Sequence, residues 1–252
     1  MKKIGIIGGA GPMAGCQLYK EIINECQQQY GCKNDNDFPE IVMLNYPFSN
    51  MATSNMLEAH NASVRNQLTA ELQICFNDLT KQKVAIAAIG CNTLHAFLND
   101  VTIQIPHFVH IAQETMNHAQ DLGLTRLFIL GSQTTAQTNL YKNKNIDCII
   151  PSLADNTIVD AVIKNIMDGN ITATDATQLQ ALAQCYFDKK PFDAIVLGCT
   201  ELPLLHAIFP LQIIDKKQRI LPILDTIKIL AKAIVKRSVG SFQQANQERL
   251  YA

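Results

Sequence analysis

Four stretches of this chain are continuous apolar runs that end in glycine: KIGIIG (3–8), VAIAAIG (84–90), RLFILG (126–131) and FDAIVLG (192–198). The runs do not alternate apolar with polar residues, as strands with one wet face would, so they read as strands buried on both sides. Amphipathic helical stretches lie between them, at 13–30, 56–82, 157–168 and 174–188, with further helices beginning near Asn92, running to Leu122, and covering 222–238. Shorter apolar segments, EIVMLNYP (40–47), PHFVHI (106–111), CIIPSL (148–153) and LQIIDK (211–216), supply the remaining strands. Buried strands separated by helices make parallel sheet covered on both faces.

The pattern runs twice. RLFILGSQTT repeats the strand and small-residue turn of KIGIIGGAGP, and each half later carries a strand ending Gly-Cys. The spacing differs between halves, which indicates two similar folds rather than a tandem repeat. The expected fold class is therefore α/β, with two pseudo-symmetric lobes, each a parallel sheet flanked by helices. One lobe is expected from residues 1–113 plus 217–252, whose C-terminal helix returns to it, and the other from 114–216. The polar tail GSFQQANQERLYA is expected to fray. Ligands of open parallel sheets bind beyond the carboxyl ends of the strands, which places the active site in the cleft between the lobes.

Of the 252 residues 48% are hydrophobic and 17% charged, with a net charge of −1, so there is no basic footprint for nucleic acid. No apolar stretch is long enough to span a bilayer. The opening MKKIGIIGGAGP is interrupted by Gly8, Gly9, Gly11 and Pro12 before it reaches the core length of a signal peptide. A cytoplasmic protein with no membrane partner is expected. The eight cysteines show no CxxC and no Cys/His cluster at ligand spacing, so no metal is expected and most of them read as small core residues.

Cys91 and Cys199 differ from the rest, because each follows a glycine at a strand end: AIGCNTLHAF and VLGCTELPLL. Asn92 or Thr93 would cap one following helix, and Thr200 with Glu201 would begin the other. A thiol at a helix N-terminus meets the positive end of the dipole, which favours thiolate. Two thiols facing one another across a cleft suit the inversion of a carbon centre beside a carboxylate. One takes the proton from one face while the other delivers a proton to the opposite face. A thiol pKa of about 8.5, lowered somewhat by its setting, serves either role near neutrality. Backbone N–H groups at the helix starts would hold the carboxylate.

GCNTLHAF and GCTELPLL, together with the opening GGAGPMA, resemble the aspartate/glutamate racemase family, particularly its aspartate racemase branch, over nearly the whole chain. The resemblance implies an amino-acid racemase that uses neither pyridoxal phosphate nor metal, acts on a small-molecule amino acid, and is frequently a homodimer. It carries the acid/base roles onto Cys91 and Cys199 and substrate holding onto Asn92, Thr93 and Thr200. Gly9 and Thr135, in the equivalent turns of the two halves, join them as substrate-binding candidates. Relatives that catalyse decarboxylation often lack one of the two cysteines, and this chain has both. It departs from the aspartate racemases in one respect: no arginine follows the second strand, where LNYPFSNMATSN has no basic residue before Arg65. Nor is there a basic residue in LADNTIVDAV before Lys164. Lys142, Lys144 and Arg65 remain as possible sources of a side-chain cation.

Other readings compete. His95 either orients a thiol or is an interior polar group with a backbone partner. Glu201 is either a partner of Cys199 or, slightly preferred, an acid on the helix dipole. Thr134 and Thr135 are either ligand contacts or ordinary turn hydroxyls. Gly9-x-Gly11-x-x-Ala14 invites a dinucleotide reading, but the second strand ends in Asn45 and Tyr46 instead of the acid that would hold a ribose. A non-catalytic amino-acid sensor would keep the cleft without the chemistry. A thiol redox protein would need the two cysteines within disulfide reach.

Overall fold

The computed structural model describes residues 1–49, 62–215 and 217–239. Two four-stranded sheets account for every named strand. In the first, β1 (Ile4–Gly8), β2 (Ile41–Asn45), β3 (Ile86–Ile89) and β4 (His107–Val109) lie in the order β2-β1-β3-β4, all parallel. In the second, β5 (Arg126–Leu130), β6 (Asp147–Ile149), β7 (Ala194–Leu197) and β8 (Ile223–Asp225) lie in the order β6-β5-β7-β8, again all parallel. The two orders are the same path taken twice, which makes β3 and β7 equivalent.

The continuous apolar runs are explained by burial on both faces. Successive strand residues point to opposite sides. Ile4, Ile6, Ile86 and Ala88 enter a core shared with helix α1 (Pro12–Tyr30), whereas Ile7, Ala87 and Ile89 enter one shared with helix α2 (Ala62–Lys81). Helix α3 (Ile111–Asp121) covers Leu127, Ile129, Ala194 and Val196 of the second sheet. The short α4 (Gln133–Gln137) follows β5, and α5 (Leu153–Met167) with α6 (Ala173–Lys189) buries the other face, with Phe128, Leu130, Ile195 and Leu197. Helix α7 (Leu202–Ile208) follows β7.

Helix α8 (Thr226–Ser238) returns to the first sheet, where Ile227, Leu230 and Ile234 share a core with Leu18 and Ile22 of α1. Its N-terminus is capped by the Asp225 carboxylate, which accepts from Ile227 and Lys228 N–H at 2.9 and 3.1 Å. The chain therefore leaves the second sheet at Asp225 and enters a helix on the first within one residue.

Two expectations about local structure fail. The segment 211–215 forms no strand. Ile214 makes only an isolated antiparallel bridge to Ile220, and the Asp215 carboxylate gathers Lys217 N–H and Arg219 N–H into a tight turn. The eighth strand lies later, at Ile223–Asp225, where its pairing with β7 buries Leu224. Likewise no α-helix begins near Asn92, since Thr93–Phe97 is a 3₁₀ turn. Residues 50–61, which include Asn50, Met51 and the first turns of the expected 56–82 helix, lie outside the described residues, as do Lys216 and the tail from 240. No helix among the described residues is long and apolar enough to cross a membrane.

Candidate active site

Each glycine–cysteine pair leaves its sheet in the same way. Gly90 N–H donates to the Ile7 carbonyl of central strand β1 at 2.9 Å, and Gly198 N–H donates to the Leu130 carbonyl of central strand β5 at 2.6 Å. Cys91 and Cys199 are thus each the second residue beyond equivalent strand ends, Ile89 and Leu197. Both are buried, at 7% and 6% exposure. Gly198 has a packing reason, since a Cβ there would sit 3.1 Å from the Leu130 carbonyl oxygen and 3.2 Å from Cε2 of Tyr141, whereas one on Gly90 would make ordinary contact with the Gly15 Cα of α1 at 3.5 Å.

The structure brings the two thiols into one electrostatic environment. Cys199 Sγ donates to Glu201 Oε2 at 2.9 Å, and Thr200 Oγ1 donates to the same oxygen at 3.3 Å. Burial, and next the Glu201 carboxylate, push the Cys91 thiol up to about 12, against opposing donors at Leu94 N–H, Thr93 N–H and the Thr93 hydroxyl. Burial, Glu201 and then Cys91 itself hold the Cys199 thiol well above its ordinary value. Burial also raises the Glu201 carboxyl. The expectation that helix starts would lower these thiols is therefore reversed. The turn at Asn92 is too tight to align a dipole, and a buried acid sits beside the sulfurs. Glu201 is a partner of Cys199, not a surface acid on a helix dipole, which corrects the preferred reading.

This reversal has a direct consequence. With the ligand-free thiol near 12, Cys91 modification by iodoacetamide at pH 7.5 is expected to be at least about 100-fold slower than that of exposed Cys185. The rate should keep rising past pH 10. Peptide mass spectrometry measures both sites in one sample, and a plateau in the Cys91 rate below pH 9 would contradict the assignment.

The neighbouring side chains are mostly committed to one another. Thr93 Oγ1 and Ser132 Oγ are 3.0 Å apart, and Ser132 Oγ is 3.1 Å from Thr135 Oγ1, so one run of hydroxyls joins the lobes. Thr135 is buried at the start of α4, where Ser132 caps its N–H at 3.3 Å. Asn92 Oδ1 accepts from the Tyr141 hydroxyl, and Asn92 Nδ2 donates to Thr226 Oγ1 at 3.3 Å. His95 is an interior polar group with backbone partners. Ile111 N–H donates to its Nε2 at 3.4 Å, which leaves Nδ1–H to donate to the Cys91 carbonyl at 2.8 Å. Burial and neighbouring His110 push its pKa down to about 3, so the ring is neutral and ties the Cys91 turn to α3.

Gly9, at φ 103°, is required by close packing, because a Cβ there would collide with the Tyr46 carbonyl. Gly11, at φ 79°, faces the other lobe, where a Cβ would collide with Glu201 Oε1. The glycine loop of the first lobe is therefore seated directly against the acid of the second. The loop after β2 is held by another acid, since Ser49 N–H donates to Glu71 Oε2 at 3.0 Å, and Glu71 is 9% exposed. Of the three cations left open by the sequence, Arg65 lies over the Phe97 ring at 5.7 Å. Lys142 and Lys144 line a cavity of about 530 Å³ on the second lobe, together with Thr135 and Tyr141. Among the described residues no group of three or more His, Cys, Asp and Glu is placed to hold a metal.

Ser132, Tyr141, Thr226 and Glu71 were not identified from the sequence. Ser132 has a recognisable signal, a hydroxyl three residues before Thr135 at a helix start. Tyr141 has none, since the Asn92 side chain that its hydroxyl meets is 49 residues away in the chain.

The sequence profile of the Asp/Glu/Hydantoin racemase family matches residues 7–234 of the chain. The chain is 25% identical over 239 residues to the broad specificity amino-acid racemase RacX of Bacillus subtilis (strain 168), covering 92% of this chain and 96% of that protein. Its fold is that of Picrophilus torridus aspartate racemase, with a TM-score of 0.74 at 21% identity over 98% of this chain and 100% of the other. An aspartate racemase homologue from Pyrococcus horikoshii gives a TM-score of 0.71 at 20% identity, covering 94% and 99%.

Proposed function

The chain belongs to the Asp/Glu/Hydantoin racemase family, and from that premise we propose that it is an amino-acid racemase in which Cys91 and Cys199 exchange protons with opposite faces of the substrate Cα. The observation that carries this reading is the placement of both thiols at equivalent strand ends around one shared carboxylate, Glu201. The amino-acid racemase activity printed in the name of the Bacillus subtilis relative supports the reaction class.

The cycle balances in protons. One cysteine, as thiolate, takes the Cα proton and becomes a thiol, while the electron pair left on carbon delocalises into the α-carboxylate. The facing thiol then gives its proton to the other side of the same carbon and becomes the thiolate. The product has inverted configuration and the site is left in the mirror-image protonation state, ready for the opposite enantiomer. One thiolate must exist for the reaction to start, yet burial and Glu201 disfavour thiolates in the ligand-free protein. A bound amino acid brings its own cation. The α-ammonium, placed beside Glu201, offsets the carboxylate that raises both sulfurs, and Glu201 Oε2 is positioned to accept the Cys199 proton.

Thr93, whose hydroxyl meets Cys91, Thr200, whose hydroxyl meets Glu201, and Thr135, linked to Thr93 through Ser132, are the proposed holders of the α-carboxylate and α-amine. The test is chiral chromatography of single enantiomers incubated with the purified protein, without pyridoxal phosphate. Conversion to a mixture of enantiomers supports the reading. Ligand binding without any conversion, across all common amino acids, would replace it with that of an amino-acid sensor.

A further inference from the structure

We propose that Tyr141 and Thr226 are positioning residues that clamp the two thiol-bearing turns to one another, with the Asn92 side chain as the strut between them; this rests on the two-thiol reading above. Asn92 immediately follows Cys91. Its carbonyl oxygen accepts the Tyr141 hydroxyl proton, and its amide donates to Thr226 Oγ1 at 3.3 Å. The Thr226 hydroxyl spends its single proton on the Leu197 carbonyl at 2.9 Å, so it can only accept from Asn92, and this fixes which way the amide faces. Leu197 is the last residue of β7, two before Cys199.

Both ends of the strut therefore terminate on the second thiol turn. Thr226 holds the carbonyl of Leu197, and the Tyr141 ring packs closely against Gly198, where a Cβ would sit 3.2 Å from its Cε2. Asn92, Tyr141 and Thr226 are 1%, 2% and 0% exposed, so water cannot substitute for a lost partner. The path from Cys91 through Asn92, Thr226 and Leu197 to Cys199 crosses between the lobes with two hydrogen bonds.

The consequence is kinetic. Two acid/base groups must address one carbon from opposite sides, so their separation matters more than the position of either alone. A misplacement of about 1 Å costs about 100-fold in rate. It also assigns Asn92 differently from a substrate ligand: its carbonyl oxygen and one N–H are committed to the clamp. Loss of a substrate ligand would be read mainly in KM, whereas loss of a strut is read in kcat.

Thr226→Val keeps the shape and removes the hydroxyl; Tyr141→Phe removes only the oxygen. Each is expected to lower kcat between about 10- and 100-fold in both directions, with KM changing less than about threefold. Thr226→Ser, which restores the hydroxyl, should recover most of kcat. The Thr226→Val/Tyr141→Phe double variant should fall well short of the product of the single losses, since one clamp is broken in each. Iodoacetamide modification of Cys91 and Cys199, followed by peptide mass spectrometry, provides a readout that needs no turnover. Both rates should rise severalfold in Thr226→Val, while the rate at exposed Cys185 stays the same. Unchanged kcat and unchanged thiol rates in folded Thr226→Val would overturn the clamp. Absence of racemisation in the wild type would instead overturn the proposed activity, and the modification rates would still decide on the clamp.

Discussion

Cys91→Ala and Cys199→Ala are each expected to lose between about 10²- and 10⁴-fold in racemisation, in both directions. The loss is symmetric because each direction needs one base and one acid, and the same two sulfurs fill both posts in turn. A single remaining thiol still reaches one face of the carbon. Each variant should therefore retain exchange of the α-proton with solvent for one enantiomer and lack it for the other, and the two variants should retain opposite enantiomers. Neither substitution should unfold the protein. Each cysteine is buried and belongs to a large apolar core, one shared with Val159, Leu202 and Leu205 for Cys199 and one shared with Ile89, Leu94 and Phe97 for Cys91. Near-normal rates in either variant would refute the two-thiol mechanism.

The second large effect concerns the substrate side chain. Aspartate and glutamate carry a second carboxylate, and a desolvated charge left without a partner costs several kcal/mol. The resemblance to aspartate racemases leads one to expect an arginine after β2. The described part of that loop, Tyr46–Ser49, is instead held by the buried acid Glu71. Arg65 is turned onto the Phe97 ring, and Glu201 adds a second acid beside the thiols. Neutral amino acids are therefore expected to exceed aspartate and glutamate in kcat/KM, by about 10-fold or more. The relative named for broad specificity supports that direction. A panel of both enantiomers of all common amino acids decides it. Aspartate or glutamate leading every neutral amino acid by about 100-fold would contradict it and would point to a cation from elsewhere in the fold or from a second copy of the chain.

Much of this was legible in the sequence because burial on both faces leaves an unmistakable mark. The runs ending at Gly8, Gly90, Gly131 and Gly198 are apolar after their first one or two residues, and all four form strands of parallel sheets. The duplicated Gly-Cys turn was legible for the same reason, since two equivalent strands end alike. Segment 211–215 misled because its apolar residues, Leu211 and Ile213, are buried against helices without pairing to a sheet. The strand at Ile223–Asp225 is three residues long, directly after Pro222, and offers too short a pattern to separate from the helix that follows.

The site was less legible than the fold. The direction of the thiol shifts comes first from the burial of both sulfurs and next from the charge of Glu201, with Thr93–Phe97 a 3₁₀ turn rather than a helix. Neither is encoded in spacing. Asn92 was read as a helix cap or a substrate ligand, but its nearest partners are Tyr141 and Thr226, and only the packing of one lobe on the other puts them there. Gly11 has a similar history: it reads locally as part of a phosphate-like loop, and it is in fact the place where Glu201 approaches the first lobe.

The most direct test follows the α-proton itself. Single enantiomers of a turned-over amino acid are incubated in D₂O with wild type, Cys91→Ala and Cys199→Ala, and NMR records deuterium at Cα while chiral chromatography records configuration. The wild type should place deuterium on Cα with inversion from either enantiomer. One variant should deuterate only the L form and the other only the D form, each with retention. Equal deuteration of both enantiomers by either single variant, or inversion without any deuterium, would show that the two sulfurs do not divide the faces of the substrate between them.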